Sequence, residues 1–204
     1  LEVHPCIVRF LGAVTVLPML TIVTEFAAFG SLDTAAKSRP LPLKLRHRCI
    51  LDCARALAFL HGHLIVHRDL KPSNVLLLNL DPHSPRVAAI SDFGTVRFVT
   101  HGSCVQSRGV GTPAYMSPEV LRVEKYGTPT DVYSFSILAW EVLTGLDPYP
   151  LDKFPSVFDI PKAVLEGKRP RWPTDLADSE IAALISRCWV DDPSKRPPFS
   201  EIAI

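Results

Sequence analysis

The sequence carries no excess of either charge. Its 22 Lys and Arg balance 21 Asp and Glu, for a net charge of +1. A nucleic-acid binder usually shows a basic excess, so that class of partner is not expected. No run of like charges forms a tail, and there is no internal repeat or low-complexity tract. No basic segment with a small-residue cleavage site opens the chain, so no signal peptide is expected. The most apolar window, residues 10–23, is too short to span a bilayer and is interrupted by Thr15, Pro18 and Thr21. Cysteine is scarce, with five scattered residues, an odd number. A disulfide framework is therefore not expected, and a reducing, cytoplasmic compartment is. Cys49 and Cys53 lie four apart in a stretch whose pattern predicts a helix, with His47 as the sole local candidate for a third metal ligand. Two small residues on a helix explain that spacing better than a metal does.

Hydrophobic residues make up 47% of the 204 residues, enough for a packed core and against disorder. Residues 7–16 and 20–26 are rich in Val, Ile, Phe and Thr around Pro18, which predicts a β-hairpin of two buried strands. A short helix and loop follow to Pro42. Residues 45–61 place Ile50, Cys53, Ala54, Leu57, Ala58 and Leu60 on one face, a helix pattern that Gly62 should stop. Short apolar runs at 64–66, 75–78 and 87–90 predict strands. Residues 94–118, rich in Gly, Pro, Ser and Thr, predict a long functional loop. Residues 131–143 predict a helix buried on all sides, closed by Gly145. Further helices are expected at 162–166, 178–189 and from about Phe199.

Between two of those strands stands His67-Arg68-Asp69-Leu70-Lys71-Pro72-Ser73-Asn74. Asp92-Phe93-Gly94 follows 18 residues after Asn74, and then Gly111-Thr112-Pro113-Ala114-Tyr115-Met116-Ser117-Pro118-Glu119. Each motif alone is weak, but three in order are specific. With them the chain resembles a eukaryotic protein kinase, chiefly its C-terminal lobe, and the resemblance covers essentially all of it. The implied fold is α+β: a mostly α-helical C-terminal lobe at 27–204, with residues 1–26 as a remnant β-hairpin of the N-terminal lobe and the start of the hinge. The implied reaction is transfer of the ATP γ-phosphate, with Mg²⁺, to Ser or Thr hydroxyls of protein substrates. The competing class is a pseudokinase or non-catalytic interaction module, against which intact Asp69, Asn74 and Asp92 argue.

The resemblance assigns roles residue by residue. Asp69 takes the place of the aspartate that orients the substrate hydroxyl and accepts its proton. Lys71 puts positive charge beside the γ-phosphate, while Asn74 and Asp92 offer oxygen ligands suited to a hard cation. Lys71 with Pro72 and Ser73, and Thr112 bonding the aspartate and lysine, point to the serine/threonine class. Arg68 is matched to an arginine that meets a phosphate on the activation segment, where Thr100, Ser103 and Ser107 could carry it. Glu119 is matched to a glutamate paired with the late Arg196, and Asp131 to an aspartate accepting bonds from the catalytic-loop backbone. Upstream, Thr24 resembles the gatekeeper, Glu25 and Ala27 the linker residues whose backbone meets adenine, and Leu76 the residue beneath the ring. Phe10, His67 and Phe93 would share a regulatory spine. Together with Arg187-Cys188-Trp189, the pattern is closest to the tyrosine-kinase-like group.

Ser117 stands where Ala is usual, and residues 78–86, with Pro82 and Pro85, make a long turn. The stretch Gly109-Val110-Gly111-Thr112-Pro113-Ala114 fits a loose dinucleotide pattern, but no strand leads into it, and the pattern is rejected. The family's glycine-rich loop and strand lysine match nothing in these 204 residues, which predicts a fragment that is inactive in isolation and has an exposed hairpin.

Overall fold

A computed structural model describes residues 4–16, 18–99, 111–156 and 158–203. The β-branched opening forms β1 (Phe10–Val14) and β2 (Thr21–Thr24), antiparallel, with Val14 opposite Thr21 and an irregularity between Phe10 and Gly12. The hairpin is where the sequence placed it; its strands are not buried as the apolar window suggested, but open, as expected of a hairpin without its covering segments. Phe10 is 64% and Ile22 73% exposed, and every residue of β2 lies open. Side chains of a strand alternate between two faces, so two strands need a cover on both. Nothing among the described residues supplies one.

The remaining chain is built around two helices. In α2 (Leu43–Gly62), Leu45, Cys49, Cys53, Ala56, Leu57 and Leu60 form a buried stripe at helical spacing. Gly62 is its last residue rather than its stop. The chain reverses at Leu64, in the left-handed region at φ 59, and Leu64 O then accepts the Val99 amide at 2.8 Å. In α4 (Pro129–Thr144), residues 130–140 are all buried, as the unbroken apolar run requires. Pro129 opens it, where its missing N–H costs nothing. Gly145 closes it at φ 70, donating its amide to Glu141 O at 2.8 Å.

Shorter helices complete the body: α1 (Leu32–Ser38) packs against residues 72–77, α3 (Pro118–Leu121) against α5 (Asp159–Leu165), α6 (Glu180–Cys188) on α4 and α7 (Phe199–Ile202) on α2. Ser31 and Ser179 cap α1 and α6, accepting the Thr34 and Ala182 amides at 3.2 Å each. Phe199 of α7 meets Phe135 of α4 edge to face, with ring centroids 5.2 Å apart.

Four short strands form two further antiparallel pairs. β3 (Ile65–Val66) pairs with β6 (Arg97–Phe98), and β4 (Val75–Leu77) pairs antiparallel with β5 (Ala88–Ile90). β6 falls inside the stretch read as loop; two residues carry no periodicity to read. Thr100, Ser103 and Ser107 lie outside the described residues. Among the described residues no helix is long and apolar enough to cross a membrane.

Candidate active site

The turn between β3 and β4 holds His67 to Asn74. Its backbone is unusual at Arg68, with φ 74, a left-handed conformation that a side chain disfavours. Asp131, in the first turn of α4, stabilises it. Its Oδ2 accepts the His67 amide at 2.8 Å and its Oδ1 the Arg68 amide at 2.9 Å. His61 Nε2 adds a contact to Oδ2 at 2.9 Å, a partner that the sequence did not signal. Full burial would raise the Asp131 pKa, but the His61 contact, the nearby histidines and the Arg68 amide outweigh it, so the carboxyl titrates below its usual range.

Three side chains converge beyond that turn. Lys71 Nζ donates to Asp69 Oδ2 at 2.7 Å and to Thr112 Oγ1 at 2.8 Å, and Thr112 Oγ1 donates to Asp69 Oδ1 at 2.9 Å. Asn74 Nδ2 donates to the Asp69 carbonyl at 2.7 Å and lies 3.1 Å from Asp69 Oδ2. Burial opposes ionisation of Asp69, yet the bonds from Lys71, Thr112 and Asn74 win and hold its pKa below the usual value. Thr112 reaches the triangle because Gly111 lets the chain pass close. Gly111 has φ +114, and a Cβ there would sit 2.8 Å from Arg68 O.

Asn74 and Asp92 are neighbours because β4 and β5 pair. Val75 stands opposite Ile90, and Ser91 donates its amide to Asn74 O at 2.8 Å and its hydroxyl at 3.0 Å. Asp92 follows at φ 60, with its carboxylate in the open save for the Gly94 amide at 3.3 Å. Both side chains offer oxygen, and Asn74 spends its amide nitrogen on Asp69, which leaves its oxygen as the acceptor. This donor set fits a hard divalent cation, which commonly takes one or two protein oxygens and completes its shell with phosphate and water. Among the described residues no three or more His, Cys, Asp or Glu side chains are grouped so that they could hold a metal ion, and Cys49 and Cys53 lie on the buried face of α2. Both thiols are buried, and burial pushes the Cys49 thiol up to about 12. His47 is exposed, away from them. His67 and Phe93 meet edge to face at 5.6 Å, but Phe10 is exposed on β1 and joins no ring contact among the described residues.

The segment from Thr24 to Ser31 links the hairpin to α1. Thr24 is exposed, its hydroxyl 3.4 Å from Glu25 O. The Ala27 amide meets no acceptor among the described residues, so it and the lightly held Glu25 carbonyl are open backbone groups. Leu76, half-buried between the buried Val75 and Leu77, turns to the opposite face of β4. The Glu25 side chain is engaged elsewhere, in a bidentate pair with Arg86 at 2.6 and 2.9 Å that was not anticipated.

Glu119 and Arg196 form the expected pair, bidentate at 2.6 and 2.8 Å with side chains 4% and 0% exposed. Arg196 also donates to the Val190, Pro129 and Asp191 carbonyls. Breaking such a pair leaves one buried charge uncompensated, at about 3–5 kcal/mol. Ser117 uses its hydroxyl on Thr130 at 2.7 Å, which the usual Ala could not do. Arg68 directs its guanidinium to Thr95 O and, at 3.0 Å, to the Tyr126 hydroxyl. A carboxylate absent from the sequence reading, Glu141, accepts the Tyr115 hydroxyl at 2.6 Å beside a cavity of about 770 Å³. Burial raises its pKa to about 7.

The profile of the family described as protein tyrosine and serine/threonine kinase matches residues 2–204. The probable serine/threonine-protein kinase gdt4 of Dictyostelium discoideum is 41% identical over 202 residues. The serine/threonine-protein kinase STY17 and the serine/threonine/tyrosine-protein kinase HT1, both of Arabidopsis thaliana, are 36% and 35% identical. Each alignment covers 98% of this chain, which spans 12%, 34% and 50% of the three relatives' lengths. A profile match over nearly every residue, with the motif side chains assembled around one turn, places the chain in the protein tyrosine and serine/threonine kinase family.

Proposed function

We propose that the protein transfers the γ-phosphoryl group of ATP, with Mg²⁺, to Ser or Thr hydroxyls of protein substrates. The single observation that carries the reading is the closed triangle of Asp69, Lys71 and Thr112 beside Asn74 and Asp92. Phosphoryl transfer needs positioning and charge neutralisation more than a strong base. Asp69, kept ionised, aims an acceptor at the incoming hydroxyl and takes its proton late, when little basicity is required. Lys71 holds positive charge where the transferred group passes, and Thr112 fixes both. Asp92 and Asn74 would hold Mg²⁺, which when bound neutralises phosphate charge. A depression lined by Asp33, Lys71, Pro72, Ser73, Thr112 and Tyr115 gives a substrate hydroxyl its approach.

The open backbone groups at Glu25 and Ala27 would meet adenine, and Leu76 would lie under it. The four described cysteines are free and buried, which supports the reading of a reducing, cytoplasmic location. The names of the relatives support the serine/threonine assignment, and one adds tyrosine. The test is transfer from γ-labelled ATP to a generic protein substrate, followed by phosphoamino-acid analysis. Label on Ser and Thr is expected; no transfer by the full-length protein would leave the non-catalytic reading.

A further inference from the structure

Residues 78–86, the long turn between β4 and β5, are not slack. Arg48 of α2 donates to the Pro82 and Pro85 carbonyls at 3.4 and 3.1 Å, and to Asp52 Oδ1 at 2.8 Å. The other Asp52 oxygen accepts the Val87 and Ala88 amides at 3.2 and 3.1 Å. The end of the turn is thus tied to the buried face of α2 through Asp52. From that anchored point Arg86 reaches out. Its Nη1 and Nη2 grip Glu25 Oε2 and Oε1 at 2.9 and 2.6 Å, and its Nε donates to Pro5 O at 2.8 Å.

Glu25 is held in turn along the hairpin. Its Oε1 accepts the Arg9 amide at 2.8 Å, and its own amide donates to Arg9 O at 2.9 Å. Neither side chain of the Arg86–Glu25 pair is free in solvent, at 28% and 18% exposed. A bidentate charge-assisted pair in that setting fixes geometry as well as adding attraction. Its effect on Glu25 is visible in a carboxyl pKa lowered chiefly by the Arg86 hydrogen bonds.

The placement matters because of what lies at either end of β5. Arg86 stands two residues before the strand and Asp92 two residues after it. Glu25 and Ala27 carry the open backbone groups of the linker. We infer that Arg86 is a positioning residue for the nucleotide: by gripping Glu25 it sets the distance between the linker backbone and the Asp92 carboxylate, with β5 as the rigid spacer. The inference rests on the proposed kinase function. It adds a residue outside the catalytic and nucleotide-contacting sets, acting through Glu25.

The test is steady-state kinetics of the full-length protein with Mg²⁺-ATP varied at saturating protein substrate. Arg86→Ala should raise KM for ATP about tenfold and change kcat by less than about twofold, since the linker loses its reference while the Asp69 triangle is untouched. Arg86→Lys, keeping the charge without the fork, should fall between. Glu25→Ala should raise KM similarly, and adding Arg86→Ala to it should raise KM little further, because the two act as one unit. If Arg86→Ala unfolds, Arg86→Lys and Glu25→Ala read the same quantity. An unchanged KM in folded variants overturns the inference, as does a fall in kcat alone or fully additive effects. A wild-type protein with no transferase activity would instead overturn the proposed function.

Discussion

Asp131 and Arg68 stand 63 residues apart, yet the Asp131 carboxylate accepts the Arg68 amide at 2.9 Å. A side chain at the start of a buried helix thereby sets the backbone of the turn that carries Asp69, and the left-handed Arg68 is held from outside its own segment.

The first expectation concerns that carboxylate. Its pKa is depressed in the folded protein, so the folded state holds fewer protons than the unfolded chain in acid. Its stabilisation is present above the unfolded value of about 4 and is lost as pH falls through the lower folded value. Asp131→Asn should lower Tm at pH 7 and narrow the gap to wild type as the pH is taken below about 4. Parallel acid melts of the two proteins would show it; a gap constant with pH would contradict the assignment.

Asp69→Asn keeps the shape of the triangle and removes the proton acceptor and its charge. In the full-length protein kcat should fall by at least about 10²-fold with ATP binding little changed. Rapid-quench transfer assays beside equilibrium nucleotide titration separate the two effects, and a wild-type rate would remove Asp69 from the chemistry.

Asp92→Asn should act on binding instead. Asn keeps the left-handed turn at φ 60 better than most residues, so the change isolates the charge. Titrating ATP with and without Mg²⁺ should show that the metal-dependent gain in affinity shrinks. A variant with the full gain would mean that Asp92 is not a ligand.

Glu141 reports through pH in the opposite direction to Asp131. Its pKa is raised by burial from 4.5 to about 7, so between those values the folded state holds the extra proton and stability falls as pH rises. The loss across that window is roughly 3 kcal/mol. Glu141→Gln still offers Tyr115 an oxygen but cannot ionise. Relative to wild type its Tm should rise steadily from pH 4.5 to 7.5, measured by calorimetry; a flat difference would show that the carboxylate is solvated.

The 204-residue chain on its own should bind ATP at best in the millimolar range and transfer no phosphate. Its β1–β2 sheet is two strands with both faces open, and such pairs are marginal in water. Light scattering should show association through those faces. Activity equal to that of the full-length protein would refute the expectation.

Much of the site was legible because its residues form short contiguous motifs. Asp69, Lys71 and Asn74 lie within six residues of one another, and Thr112 sits in a motif of its own. Long periodic elements were legible for a similar reason: α2 and α4 carry enough turns for a stripe, or its absence, to register. What could not be read were partners distant in sequence and singly placed. Nothing in Arg86 announces Glu25, 61 residues away, and His61 lies 70 residues from Asp131. The apolar richness of β1 and β2 states what the strands would prefer to bury; their exposure is legible only from the absence of covering segments in these 204 residues, and it is what the structure shows.

Gly111 carries no charge, donates no ligand and takes no part in any proposed step, yet a methyl group at its Cα would press on the Arg68 carbonyl. In a scan of every single substitution it should rank with Asp69 among the intolerant positions. An inherited change there would be scored harmless by any scheme that weighs only reactive side chains. The damage would be one of spacing: the two strips of chain that bring Thr112 to Lys71 can lie that close only while neither has a side chain between them.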